Sequence, residues 1–233
     1  GNFDGYAKIY SVKGQSITYL KNIYADGLSK KLSSVVNTTA YSPDGTTLVL
    51  GGGFDSHAKV YFARGQDITY ASDIYADTDG TKLGGDVLTA AFSPDGTTLV
   101  LGGKFEGAAK VYQVSDQSIT FLSNIYANSG NTALDIAVNT AAFSPDGTTL
   151  VLGGGFGSYA KVYRSNGQII KFVDDIYADD NSTVFNNIVN VATFSFGGTA
   201  LVLGGLFTDS AKIYPCIPNP DFVEIGYNKE INV

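Results

Sequence analysis

Short apolar runs, each closed by a turn, recur along this chain at one fixed spacing. In residues 84–134, Leu88 to Ser93 reads as a short strand, a. Pro94-Asp95-Gly96 follows; proline presets φ, the Asp side chain bonds nearby backbone, and glycine accepts the closing geometry. Thr97 to Gly102 is an apolar run bounded by turn signals, the pattern of a strand buried on both faces, b. Beyond the loop Gly103 to Ala108, Ala109 to Val114 alternates small or apolar with polar residues and forms strand c. A turn at Ser115-Asp116-Gln117 leads to Ser118 to Ala127, rich in β-branched and aromatic residues, which is strand d. No segment keeps a 3.6-residue apolar period over a useful length, so no helix is expected.

The pattern is a tandem repeat. Tyr41-Ser-Pro-Asp-Gly-Thr-Thr-Leu-Val-Leu-Gly-Gly52 returns from Phe92, from Phe143 and, altered to Phe-Ser-Phe-Gly-Gly-Thr-Ala, from Phe194, a step of 51 residues (92 minus 41) each time. Ala-Lys-Ile/Val-Tyr keeps the same step at Ala7, Ala58, Ala109, Ala160 and Ala211. A period of this size marks a solenoid, propeller or array. Four short strands per unit describe the blade of an all-β propeller; a β-solenoid is the competing architecture, with shorter repeats.

The hairpin Phe-Ser-Pro-Asp-Gly-Thr-Thr-Leu-Val-Leu-Gly-Gly resembles the a–b hairpin of WD-repeat propellers, and the likeness runs through every unit. It implies four-stranded antiparallel blades. There is no Trp-Asp pair and no Gly-His pair, so that family's His–Asp hydrogen-bond network does not carry over, and the unit is longer than its typical blade. The expected organisation is one propeller domain over 1–233: a half blade with strands c and d at 1–32, then units 33–83, 84–134, 135–185 and 186–233. Four a–b hairpins against five c strands leave two closures: five blades, the first either incomplete or completed by the C-terminal tail, or part of a larger ring. Asp221 to Tyr227 is a candidate divergent d strand. The chain opens on Gly-Asn-Phe and contains no methionine, which suggests a processed product or a fragment.

Unit-to-unit comparison separates two faces. The a–b turns (Pro43-Asp44-Gly45, Pro94-Asp95-Gly96, Pro145-Asp146-Gly147) and the c–d turns barely change. The b–c and d–a loops, which share the opposite face of an antiparallel blade, differ in every unit. Scaffolds carry function on such loops. This predicts a partner-binding surface of Asp55, Ser56, His57, Glu106, Ser158, Tyr159, Thr208 and Asp209 from the b–c loops, with Asp26, Asp77, Asn128 and Asp179 from the d–a loops. Neutral drift in exposed loops is the alternative.

Composition and charge narrow the chemistry. The net charge is −7 and the cations are scattered, which argues against a nucleic-acid footprint. No apolar run reaches the length of a membrane span. Cys216 and His57 are each single, so neither an internal disulfide nor a cysteine or multi-histidine metal site can be assembled, and no cofactor is expected. Asp77-Thr-Asp-Gly80 lacks the bidentate Glu of a calcium loop. Asn37-Thr-Thr and Asn181-Ser-Thr are candidate glycosylation acceptors. Lys8, Lys59, Lys110, Lys161 and Lys212 hold one position in every unit; the expectation is a stem laid over apolar surface and a charge in solvent. Adjacent carboxylates such as Asp174 and Asp175 point to opposite faces of a strand, a poor geometry for shared acid–base work. The sequence therefore suggests a non-catalytic scaffold, not an enzyme, that engages a protein or peptide, with an extracellular or surface lean. The alternatives are a multivalent lectin, in which Phe3, Phe54, Phe105, Phe156 and Phe207 would face gaps between blades, and an extracellular or virion structural module.

Overall fold

The computed structural model describes residues 6–54, 56–105, 109–116, 118–134, 136–155, 160–179, 181–206, 211–218 and 223–225. Their regular structure is entirely β. A two-stranded half-blade, β1 (Ala7–Lys13) and β2 (Ser16–Ile23), comes first. Four antiparallel four-stranded sheets follow in chain order. The first blade is β3 (Val36–Tyr41), β4 (Thr47–Gly52), β5 (Ala58–Arg64) and β6 (Asp67–Ile74). The second is β7 (Val87–Phe92), β8 (Thr98–Gly103), β9 (Ala109–Ser115) and β10 (Ser118–Ile125). The third is β11 (Val138–Phe143), β12 (Thr149–Gly154), β13 (Ala160–Asn166) and β14 (Ile169–Ile176). The fourth is β15 (Val189–Phe194), β16 (Ala200–Gly205), β17 (Lys212–Pro218) and β18 (Val223–Ile225). The candidate d strand near the C-terminus is thus β18, and it pairs with β17. It completes the fourth blade and not the half-blade, so the described residues do not show the tail shared across the two ends.

The second strand of each of the first three blades is buried along its whole length, as its unbroken apolar run requires. The cores form between blades. Val49, Ala58 and Val60 of the first blade pack with Leu99, Leu101 and Tyr112 of the second. Phe54 and Phe105 sit in these cores, 1% and 6% exposed, and not in open gaps where a sugar could stack. The innermost strands β3, β7, β11 and β15 lie against one another in turn. Two of these contacts are tied by hydrogen bonds: the Thr89 hydroxyl accepts from Ala141 N and that of Thr140 from Ala192 N, both at 3.1 Å.

A tyrosine latch repeats at every junction. The hydroxyls of Tyr61, Tyr112 and Tyr163 donate to the carbonyls of Tyr24, Tyr75 and Tyr126 in the preceding blade at 2.8 Å, and Tyr214 to Tyr177 at 2.6 Å. Burial pushes the Tyr61, Tyr112 and Tyr163 hydroxyls far above the usual phenol range. Tyr112→Phe leaves the Tyr75 carbonyl without its donor and is expected to cost about 1–3 kcal/mol, read from a urea titration.

The a–b turns owe their uniformity to one network. Ser42, Ser93 and Ser144 donate to Asp44, Asp95 and Asp146 at 2.5–2.6 Å. Each carboxylate also accepts the backbone N–H two residues on, and Gly45, Gly96 and Gly147 close the turn at positive φ. The Ser42 hydroxyl is the main group holding Asp44 below the usual carboxylate value. For Asp95 and Asp146 burial acts upward, but the serine and threonine hydrogen bonds outweigh it and the net shift is down. A depressed folded-state pKa contributes stability above the unfolded value, lost as pH falls through the folded one. Stability is therefore expected to drop below about pH 4. Replacing the three residues by Asn should flatten that limb in a pH series of thermal melts.

Candidate functional site

The b–c and d–a loops do share one face. The first b–c loop residue donates to the last d–a residue before the inner strand in each blade: Gly53 to Val35, Lys104 to Asp86, Gly155 to Ala137 and Leu206 to Ile188. These bonds fix a rim at the start of the inner strands. Just below the rim each inner strand bulges, at Asn37, Leu88, Asn139 and Asn190. A bulge bends a strand and re-aims the side chain it carries. Asn37 Nδ2 donates to the Val87 carbonyl at 3.2 Å and Asn139 Nδ2 to Asn190 Oδ1 at 2.9 Å, so two of the blade seams are bridged by a side-chain amide.

One sector of this rim is charged. Lys104 Nζ lies 3.3 Å from Asp86 Oδ2, and both side chains are solvent-accessible. A methyl carbon built on Gly53 would stand 2.8 Å from Ser34 Oγ and 3.0 Å from Asp86 Oδ1, so the bare Gly53 backbone separates that hydroxyl from that carboxylate. Ser34, Asn37, Gly53, Asp86 and Lys104 thus meet where the first and second blades adjoin. The site belongs to one sector alone. The positions 51 residues from Asp86 are Val35, Ala137 and Ile188 in turn, and those matching Lys104 are Gly53, Gly155 and Leu206. None of these five residues is among those singled out above for partner binding. Subtracting the units from one another at the residues flanking the inner strands would have exposed Asp86 and Lys104.

The residues singled out from the sequence have other placements. Asp55, Glu106, Ser158, Tyr159, Thr208 and Asp209 lie outside the described residues. Ser56 takes positive φ and accepts from Leu83 N through its carbonyl. His57 is buried, with its ring edge-on to Tyr75 at 4.8 Å. Asp26, Asp77, Asn128 and Asp179 brace their own loops: Oδ1 of each accepts two or more backbone N–H groups within the next four residues. The Leu28 amide leads in lowering the Asp26 pKa, and hydrogen bonds from Thr81 and Thr183 do so for Asp77 and Asp179.

Three of the five repeated lysines depart from expectation, whereas Lys8 is exposed as expected. Lys59, Lys110 and Lys161 are buried, reaching Asp73 at 2.7 Å, Asn124 at 3.0 Å and Asp175 at 2.6 Å across the c–d hairpin. Their ammonium groups lie 5.3–5.6 Å from the ring centroids of Tyr70, Phe121 and Phe172. Burial, then Asp73, pushes the Tyr70 hydroxyl up to about 12. Cys216 is buried, and its thiol is pushed up to about 11, which leaves it poorly nucleophilic. Among the described residues no group of three His, Cys, Asp or Glu could hold a metal ion, and no helix is long and apolar enough to cross a membrane. A groove of about 400 Å³ between the half-blade and the first blade is lined by Tyr19, Asn22, Tyr24 and Tyr61; its one charged wall residue, Lys21, is held by Asp67 at 3.0 Å.

Four-stranded antiparallel blades succeeding one another about inner strands define a β-propeller. No protein-family model matches the chain, and no curated protein matches it in sequence. Solved structures do share the fold. A periplasmic gluconolactonase of Pseudomonas aeruginosa superposes with a TM-score of 0.72 at 15% identity, over 97% of this chain and 62% of its own. A putative 6-phosphogluconolactonase of Bacteroides uniformis gives 0.71 at 13% identity, over 96% and 64%. Sqt1 of Chaetomium thermophilum gives 0.63 at 18% identity, over 91% and 51%. The chain spans about three fifths of the length of the two lactonase-named structures. At this identity the likeness establishes architecture. The names correct the sequence-based expectation all the same: neighbours named as enzymes overturn the reading of a non-catalytic scaffold, lectin or spacer. The physical reason is that residues common to every repeat serve the shared fold, and a pair confined to one unit does not show in a pattern of repeats. A reaction needs one acid–base set in one place.

Proposed function

We propose that this propeller hydrolyses a cyclic ester of the sugar-acid class, an aldonolactone, at the Asp86–Lys104 sector of the rim. The observation that carries the reading is this acid–base pair, present in one unit alone and flanked by hydrogen-bonding groups. In the proposed reaction the Asp86 carboxylate takes a proton from water as the water oxygen bonds to the lactone carbonyl carbon. The carbonyl oxygen gathers negative charge, which in this reading the Lys104 ammonium and the second Asn37 amide hydrogen stabilise. Collapse breaks the ring C–O bond, and the proton passes from Asp86 to the leaving ring oxygen. Lactone and water become a hydroxy acid, so atoms and charge balance. Ser34 and the bare Gly53 backbone supply a polar floor for sugar hydroxyls. Shared architecture with longer structures named as lactonases adds support by analogy. The Ser-Pro-Asp-Gly hairpins support a WD-repeat-like origin for the unit, a matter separate from its chemistry.

The test is a pH-stat assay with glucono-δ-lactone. The expected result is a saturable rate above spontaneous hydrolysis. A rate equal to the buffer blank at all protein concentrations would discard the reading.

A further inference from the structure

Two blades on from the charged sector, the rim changes character at the same positions. Adding 102 residues (136 minus 34, twice the repeat step) to Ser34, Asp86 and Lys104 gives Ile136, Ile188 and Leu206. The frame around them is kept: Gly53 maps to Gly155 and the bulge residue Asn37 to Asn139. The geometry repeats as well. A methyl carbon built on Gly155 would stand 2.9 Å from Ile136 Cγ2, so Ile136 lies against that bare backbone as Ser34 lies against Gly53. Leu206 N donates to the Ile188 carbonyl at 3.1 Å, as Lys104 N does to that of Asp86. Ile136 is 56% exposed and Leu206 59%. The fold does not call for aliphatic side chains here, since other units place Ser34, Gly85 and Asn187, or Gly53 and Lys104, at these positions. Aliphatic groups gathered in the open mark a binding surface. The sector between the two holds small residues at the same positions, Gly85, Ala137 and Gly155. The rim thus passes from charged to bare to aliphatic across consecutive inner strands.

We propose that the lactone taken at the Asp86–Lys104 sector carries an aliphatic chain, which crosses Gly85, Ala137 and Gly155 and ends on Ile136, Ile188 and Leu206. This assignment of the chain rests on the lactone reading above. Continuity points to the occupant: a head site, a bare step and an apolar end follow one another on one rim. The inner strands that carry them are tied in the same order, β7 to β11 through Thr89 and Ala141 and β11 to β15 through Thr140 and Ala192. Charge argues against two other occupants. The net charge is −7, and Asp77, Asp79, Asp86 and Asp179 belong to loops of this face, so a second copy or a fatty-acid carboxylate meets like charge. A neutral lactone with an uncharged tail does not.

The probes are the 6-O-methyl, 6-O-butyl and 6-O-octyl ethers of glucono-δ-lactone, which hold the reacting ring constant while the tail grows. The readout is kcat/KM in the pH-stat. The octyl ether is expected to exceed the methyl ether by about tenfold or more, each methylene that reaches the apolar sector adding roughly two- to fourfold, with little gain at butyl. Ile136→Asn and Leu206→Asn combined should erase the difference between the octyl and methyl ethers. Equal values for the three ethers, or a difference that survives the substitutions, overturn the proposal. If neither the ethers nor glucono-δ-lactone itself is hydrolysed, the lactone reading falls, and binding decides the apolar sector separately. In a methyl NMR titration of the intact protein with the octyl ether, the Ile136, Ile188 and Leu206 signals should then shift saturably, and further than with the methyl ether. Unmoved signals overturn the proposal. So do shifts that follow protein concentration without any ether, which assign the sector to a second copy.

Discussion

Gly103→Ala is expected to be among the most damaging single-methyl changes at the described glycines. The added carbon would stand 2.0 Å from the Asp86 carbonyl oxygen and 2.9 Å from the Phe105 ring. The first is backbone and cannot rotate away; the second is a core side chain with no room to move. Relief requires parting Val87 from Gly103, the pair that starts the second blade, and breaking the Lys104 to Asp86 backbone bond on the rim. Overpacking of this kind costs about 3 kcal/mol or more. For a chain of this size that lowers the melting midpoint by roughly 6–12 °C. Gly130→Ala is the comparison: its nearest neighbour is the Asn128 side-chain oxygen at 3.3 Å, in an exposed loop, and its midpoint should hold within about 2 °C.

Asp86→Asn should remove most lactone hydrolysis while leaving the fold intact. The amide keeps the shape of the side chain but cannot take a proton from water. General-base catalysis typically contributes about 10²- to 10⁴-fold, so kcat is expected to fall by about that factor. The loss should fall on kcat more than on KM, since the proton is transferred in the transition state and not on binding. Circular dichroism and the melting curve should match those of the unmodified chain, because the pair is exposed and an exposed ion pair adds little stability.

Much of the fold was legible in the residues. Turn chemistry at Pro94-Asp95-Gly96 and the apolar run ending at Gly102 located the a–b hairpin, and the 51-residue step gave the spacing of the blades. The inner strand begins at Val87 and not Leu88, because the bulge at Leu88 lets Val87 pair with Gly103. Single-sequence patterning does not register a bulge. Lys59 differs from the expectation for a related reason: it meets Asp73 across a hairpin whose register also shifts, so two exposed-looking charges become one largely buried pair. Of the charged sector, the sequence holds Asp86 and Lys104 as unit-specific residues but not their neighbours in space. Ser34, Gly53, Asp86 and Lys104 come from loops of two adjoining blades, and only the inter-blade packing brings them together. The d–a carboxylates drew attention by their variability. Asp26, Asp77 and Asp179 share one loop-bracing role, and the variation lies around them.

The central claim is that the shared residues build the propeller and one unit-specific sector does its chemistry. Asp86→Val tests it most directly, since valine is what the repeat itself places at the equivalent Val35. Initial rates of glucono-δ-lactone hydrolysis and a melting curve are measured on the same preparation. The account predicts an unchanged midpoint with enzymatic hydrolysis reduced to the spontaneous rate. A variant that melts normally and still hydrolyses the lactone at the unmodified rate would contradict it.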